Sequence, residues 1–232
     1  MDLVLPAGLD APVWSALNGR WRHLAQGDDA ALRLDPAIGP FAAPGDDGQD
    51  SLSALAALCA PGEEIWLVQR APIAPPPGLD VVATPELLQM AAPALVLGQR
   101  SIDYIELGAA DGAEMHALAS MTRPGPFEAR THELGGFIGV RSGGRLIAMA
   151  GERMRPDGAC EVSGVCTHPD HRGRGLARAL MAAVARRIVE RGDMPFLHVY
   201  PSNVGAIALY ESLGFTIKRP MHLMIARRPA AD

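Results

Sequence analysis

The segment from Cys160 to Phe215 constrains this 232-residue chain more than any other stretch. Cys160-Glu-Val-Ser-Gly-Val-Cys166 reads as a strand, and His168-Pro-Asp-His-Arg-Gly-Arg-Gly175 as the loop that follows it. Leu176, Ala177, Leu180, Met181, Val184 and Ile188 then form one apolar stripe at helical spacing. Arg178, Arg186, Arg187 and Arg191 fall mostly off that stripe, and Gly192 is placed to end the helix. A short strand ending at Tyr200 leads into a second helix, with Asn203 near its cap and Gly214 just past its end. On that helix Ile207, Tyr210 and Leu213 line one face. A glycine-rich turn that opens a helix leaves backbone N–H groups free, and those donors and the helix dipole suit an anion. Taken alone, the loop fits either a tight turn with solvated arginines or a cradle for a diphosphate flanked by Arg172 and Arg174. No Lys-Ser/Thr pair follows the last glycine, so it is not a Walker loop.

A net charge of −5 argues against generic nucleic-acid or membrane-surface binding. The N-terminus lacks a basic region followed by a long apolar one, and no charge-free apolar run approaches the roughly 18 residues that span a bilayer. A cytoplasmic protein is expected. Lys218 is the only lysine, so the positive charge is almost all arginine. Cys59, Cys160 and Cys166 are odd in number and lack CxxC spacing, which suggests neither a disulfide framework nor a zinc site. In an unbulged strand Cys160 and Cys166 would share one face. His168, Asp170 and His171 make an incomplete ligand set, so no metal is expected, and His168-Pro169-Asp170 is read as shaping the turn.

The first hundred residues read as an α/β region without a phosphate loop or a nucleophile motif. Asp10 is placed to cap a helix bearing Val13, Trp14, Leu17, Trp21 and Leu24, and Ser51 to begin another. Ile65 to Val68 and Val81-Val82 are expected strands. A strand over Ile102 to Leu107 is expected next, then a helix opened by Asp111. Strands Phe137 to Val140 and Leu146 to Glu152 are joined by a Ser142-Gly-Gly144 turn. An antiparallel meander therefore feeds the glycine-rich loop, unlike a Rossmann unit, in which the phosphate loop follows the first parallel strand.

Val165 to Ala177 together with Asn203-Val-Gly-Ala-Ile-Ala-Leu-Tyr210-Glu-Ser-Leu-Gly-Phe215 resembles the GNAT superfamily of acyl-CoA-dependent N-acyltransferases. The resemblance implies an α+β fold: a mixed, mostly antiparallel sheet flanked by helices over about residues 101–232. An N-terminal α/β module over about residues 1–98 would be packed on it. That module is roughly compatible with a degenerate second copy of the fold and is expected to shape or cover the acceptor site.

The resemblance also implies roles. Acetyl-CoA is the implied cosubstrate, with Val165, Cys166 and Thr167 along the pantetheine arm. Arg172, Gly173, Arg174, Gly175, Leu176 and Ala177 would wrap the pyrophosphate, and Asn203 would contact the arm. Tyr210 stands where such enzymes protonate the departing thiolate, or else packs the helix–sheet interface. Glu161 is the implied base, or else a strand carboxylate. Asp170 replaces the usual Gln or Arg at the head of the loop and is expected to point away, or to be compensated by His171 and Arg172. Phe127, Arg130 and Thr131 are expected to border the acceptor, and His198 either faces that pocket or packs. The implied reaction is transfer of acetyl to a small-molecule amine by direct attack. A covalent route through Cys166 and acylation of protein termini or lysines are the rival chemistries. A non-catalytic acyl-CoA-binding sensor, without nucleic-acid or membrane partners, is the alternative to an enzyme.

Overall fold

The computed structural model describes residues 4–96 and 102–230. The expected junction between the two modules, at residues 98–101, lies outside the described residues. Near the N-terminus, helix α1 (Pro12–Leu17) and helix α2 (Gln49–Ala57) pack on a three-stranded antiparallel sheet of β1 (Ala25–Gly27), β2 (Ala31–Leu34) and β3 (Ala42–Pro44). Asp10 does not cap α1, whose N-cap is Ala11; its carboxylate pairs with Arg219 and Arg70 instead.

The remaining strands form one nine-stranded sheet. They are β4 (Glu64–Gln69), β5 (Asp80–Ala83), β6 (Glu86–Ala91), β7 (Ile105–Glu106), β8 (Ile138–Ser142), β9 (Arg145–Glu152), β10 (Ala159–Thr167), β11 (Met194–Val199) and β12 (Thr216–Arg227). Their order is β4-β12-β6-β11-β10-β9-β8-β7, with β5 beside β12. Only the β10–β11 pair is parallel, so the sheet is mixed and mostly antiparallel, as expected. Strand β6 lies between β11 and β12 and pairs with both, Leu88 to Ala91 against β11 and Glu86 to Ala91 against β12. N-terminal residues are thus built into the middle of the sheet that carries the glycine-rich loop.

Helix α3 (Gly112–Thr122) and helix α4 (Leu176–Glu190) cover opposite faces of β9 and β10. Leu180, Met181, Val184, Ala185 and Ile188 of α4, the stripe read from the sequence together with Ala185, are fully buried against Ala148, Ala150 and Leu197. Each large apolar side chain so buried contributes about 1.5–3 kcal/mol. Met115 and Leu118 of α3 meet Met149 on the other face. Helix α5 (Val204–Glu211) begins at Asn203, whose Oδ1 accepts the N–H of Ala206 at 3.2 Å.

Strand β10 is not regular. Its register against β9 shifts between Ser163 and Cys166, where Gly164 has φ +62°. The extra residue reverses the side-chain parity, so Cys160 packs on the α4 face and Cys166 on the α3 face. The shared face that simple alternation implies is lost at the bulge. No helix among the described residues is long and apolar enough to cross a membrane.

Candidate active site

The parallel ladder between β10 and β11 covers only Ala159 to Glu161 against Met194 to Phe196. Beyond it β10 continues to Thr167, while β11 turns away to follow β6 as far as Val199. The two strands therefore splay, and the facing edges of both carry backbone groups outside any ladder with each other. A cavity of about 620 Å³ opens in the wedge.

One end of the cavity is built by the glycine-rich loop. Val165, Cys166, Thr167, Arg172, Gly173, Arg174, Gly175, Leu176, Ala177 and Asn203 all line it. Gly173 and Gly175 adopt φ +73° and +76°, a left-handed conformation that disfavours any residue with a Cβ. A Cβ on Gly173 would project into open space, so the loop keeps its surface bare for a ligand. Gly175 is the N-cap of α4, a helix long enough to present its free N–H groups and dipole to an anion. Thr167 Oγ1 and His171 Nδ1 are buried, line the same cavity, and have no partner among the described residues. These features fit the diphosphate and arm of an acyl-CoA. The side chain of Asp170 is largely exposed and lies outside the lining, with its backbone N–H on His168 Nδ1. No group of His, Cys, Asp and Glu able to hold a metal occurs among the described residues.

Tyr210 sits on α5 and lines the cavity. Burial raises its pKa, an effect opposed by the positive charge of Arg153 and reinforced by Glu161. A phenol so placed keeps its proton at neutral pH. Cys166 also touches the cavity, but burial pushes its thiol up to about 11, which suits packing rather than nucleophilic attack.

Glu161 stands apart from this lining, beneath the cavity floor. Its carboxylate receives Nε and Nη2 of Arg153 at 2.8 and 3.0 Å and Nδ1 of His198 at 2.8 Å. Burial alone would raise its pKa, but the Arg153 charge and the hydrogen bonds from His198 and Arg153 outweigh burial and hold it well below the usual carboxylate range. So weak a base, with both oxygens occupied, does not suit proton abstraction. The network continues through His198 Nε2, 3.2 Å from Gln89 Nε2. Gln89 Oε1 accepts from Arg219 Nε at 2.9 Å, which fixes the amide so that its nitrogen faces the imidazole. Both ring nitrogens of His198 are thus committed, Nδ1 to Glu161 and Nε2 to Gln89, although the ring lines the cavity.

This network yields a stability prediction. Glu161→Ala strands the Arg153 guanidinium, whose side chain is 13% exposed, without its counter-charge. A loss of about 3–5 kcal/mol in urea unfolding is expected. Because the folded-state pKa lies below the unfolded one, the stabilisation is complete above about pH 4.3 and fades as the pH falls. The wild-type protein should therefore lose more stability than Glu161→Gln on acidification from pH 5 to 3. A cost below about 1 kcal/mol for the alanine variant, or parallel acid profiles, would show that the pair behaves as a solvated one.

The acceptor end of the cavity differs from the expectation. Phe127 is buried against Phe137 at a centroid distance of 5.6 Å. Arg130 pairs with Asp35 and Glu133, and Thr131 Oγ1 donates to Ile38 O at 2.6 Å. None of the three lines the cavity; Phe127 fills the core beneath α3, while Arg130 and Thr131 fasten this segment to Asp35 and Ile38. The wall is formed instead by Phe41, Trp66, Val68 and Leu87 of the N-terminal portion, Thr122 to Pro126 after α3, and Arg153, Met154 and Leu223. The aromatic N-terminal residues carried no motif signal, and only an apolar strand reading over Ile65 to Val68 touched them.

The family model described as FR47-like protein matches residues 137–222. A solved acetyltransferase of the GNAT family from Novosphingobium aromaticivorans is 46% identical, with a TM-score of 0.89, over 97% of this chain and all of that one. The [ribosomal protein bS18]-alanine N-acetyltransferase of Escherichia coli is 32% identical over 123 residues, 51% of this chain and 82% of that protein. N-alpha-acetyltransferase RimI of Mycobacterium tuberculosis is 37% identical over 84 residues, 34% of this chain; the chain spans about half of that relative's length, 51%. With the splayed parallel pair, the glycine-rich loop at the start of α4 and these likenesses together, the chain belongs to the GNAT superfamily of N-acyltransferases.

Proposed function

We propose that this protein transfers acetyl from acetyl-CoA to the primary amine of a small molecule by direct attack. The observation that carries this reading is a cavity of about 620 Å³ lined together by the glycine-rich loop, Tyr210 and the N-terminal residues Phe41, Trp66 and Leu87. The amine nitrogen bonds to the thioester carbonyl carbon, the carbon–sulfur bond breaks, and the sulfur leaves as a thiolate. Tyr210 gives its proton to that sulfur and is reprotonated from water. The nitrogen loses one proton to water, so the reaction releases the amide and the free thiol with no net proton change. The register shift at Ser163 to Cys166 interrupts the β9–β10 ladder beside Val165, the position from which a backbone N–H would stabilise the oxyanion.

The lining contributed by Phe41, Trp66 and Leu87 of the N-terminal portion supports a small acceptor over a protein one. A screen of amines, amino acids and peptides with acetyl-CoA, read as release of free thiol, tests this reading. Acetyl-CoA at about a hundred times its Kd should stabilise the fold by about 2.7 kcal/mol, seen as a higher melting temperature. A shift without thiol release from any acceptor would favour the sensor reading; no shift at all would sink both.

A further inference from the structure

We propose that the acceptor is a compact amine with an apolar body and a carboxylate, the chemistry of an apolar α-amino acid; this rests on the acyltransferase reading above. The apolar requirement comes from the wall opposite the glycine-rich loop, where Phe41 and Trp66 meet edge to face at 6.3 Å beside Leu87 and Leu223. The carboxylate requirement comes from two cations. Arg153 lies over the Phe41 ring at 4.8 Å and spends Nε and Nη2 on Glu161, which leaves Nη1 for another acceptor. That Nη1 would lie 3.7 Å from a Cβ on Gly125, so it reaches toward the loop that follows α3.

Arg123 stands on the same loop. It caps α3 in the left-handed conformation, φ 51° and ψ 59°, a backbone state that costs a non-glycine residue energy and concentrates at ligand sites. It forms no ion pair with another described residue, and it lines both this cavity and the adjoining cleft. Among the described lining residues the ionisable side chains near this end are Arg123, Arg153, His198 and Tyr210, and none is a carboxylate. Within this cavity a polycationic amine would meet Arg123 and Arg153 but no carboxylate, since Glu63, Glu64 and Glu128 line the adjoining cleft that Arg123 also borders. An amino acid carboxylate would gain charge-assisted hydrogen bonds from Arg153 and Arg123.

The same cations also serve the chemistry. Like charge nearby disfavours the protonated form of a bound amine and lowers its pKa. The nucleophile is thereby kept neutral in a site where Glu161 and His198 are both committed elsewhere.

The test compares phenylalanine and leucine with phenethylamine, isoamylamine, spermidine and an alanine-initiated hexapeptide, each with acetyl-CoA, by release of free thiol. The two amino acids should exceed the matching carboxylate-free amines in kcat/KM by about tenfold or more. Arg123→Ala should erase that preference through KM for the amino acid, while the melting shift given by acetyl-CoA persists. Trp66→Ala should lower kcat/KM for phenylalanine with the same shift retained. Preference for spermidine or the peptide, equal use of the carboxylate-free amines, or a preference intact in Arg123→Ala would overturn the inference and leave the acyltransferase reading standing. An acetyl-CoA shift with no release from any of these acceptors would overturn the inference too. No shift and no release would overturn the acyltransferase reading and the inference with it.

Discussion

Tyr210→Phe is expected to cut turnover by about a hundredfold or more while leaving the melting shift given by acetyl-CoA unchanged. The phenyl ring that the variant keeps is the part of Tyr210 that packs near Phe215, at a centroid distance of 6.4 Å, so the fold should be retained. What it loses is the hydroxyl, whose proton burial holds in place until a thiolate forms beside it. A thiolate expelled without a proton donor must leave as an anion into a partly buried cavity, and the barrier rises accordingly. The loss should appear in kcat for an acceptor identified by the thiol-release screen, with little change in KM for acetyl-CoA. Turnover within about threefold of wild type would remove Tyr210 from the acid role and leave it as a packing residue.

A fragment beginning at residue 102 is expected not to fold cooperatively, although it contains the glycine-rich loop and Tyr210. Within the full chain β6 pairs with β11 on one side and β12 on the other. Without it both strands become open edges, and β12 also loses β4 and β5. Met90, fully buried in the core beneath α4, goes with it. The fragment should show weak near-ultraviolet circular dichroism, a broad thermal transition and self-association. Adding back a peptide spanning residues 64–91 is the complementary measurement, since strand addition should restore part of the lost signal. A soluble fragment with a sharp transition and an acetyl-CoA shift would show that the C-terminal residues are an autonomous domain.

The glycine-rich loop was legible because it depends on local rules. Strand, glycine turn and helix are consecutive in the chain, and a left-handed turn calls for glycine wherever it occurs, so Gly173 and Gly175 mark the loop without tertiary information. The same holds for Asn203 as the cap of α5. Glu161 shows where local rules stop. Its place on a strand before the loop suggested a base, but proton affinity depends on what surrounds the carboxylate, and Arg153, eight positions away along the chain, and His198, on another strand, decided that. Phe127, Arg130 and Thr131 were near the acceptor side by position, yet their side chains turn into the core or to the N-terminal residues.

Strand β12 carried the weakest local signal of the long strands. Pro220 interrupts its pattern and cannot donate to a ladder, and the register shift between Ile217 and Arg219 takes up the irregularity. Strand β6 is a short apolar run with nothing in it to say that it pairs with β11 and β12, a hundred or more residues away. By itself, then, the sequence determined the order of strands and helices from Asp111 to Gly214, the fold class and the loop that suits a diphosphate. The order of elements and the loop follow from spacing, glycine and capping chemistry within a few residues, and the fold class from the resemblance that the two motifs carry. Only the tertiary structure decided which N-terminal side chains line the cavity, the surroundings of Glu161 and the insertion of β6, because each depends on contacts between residues far apart in the chain, whose pairing leaves no local pattern.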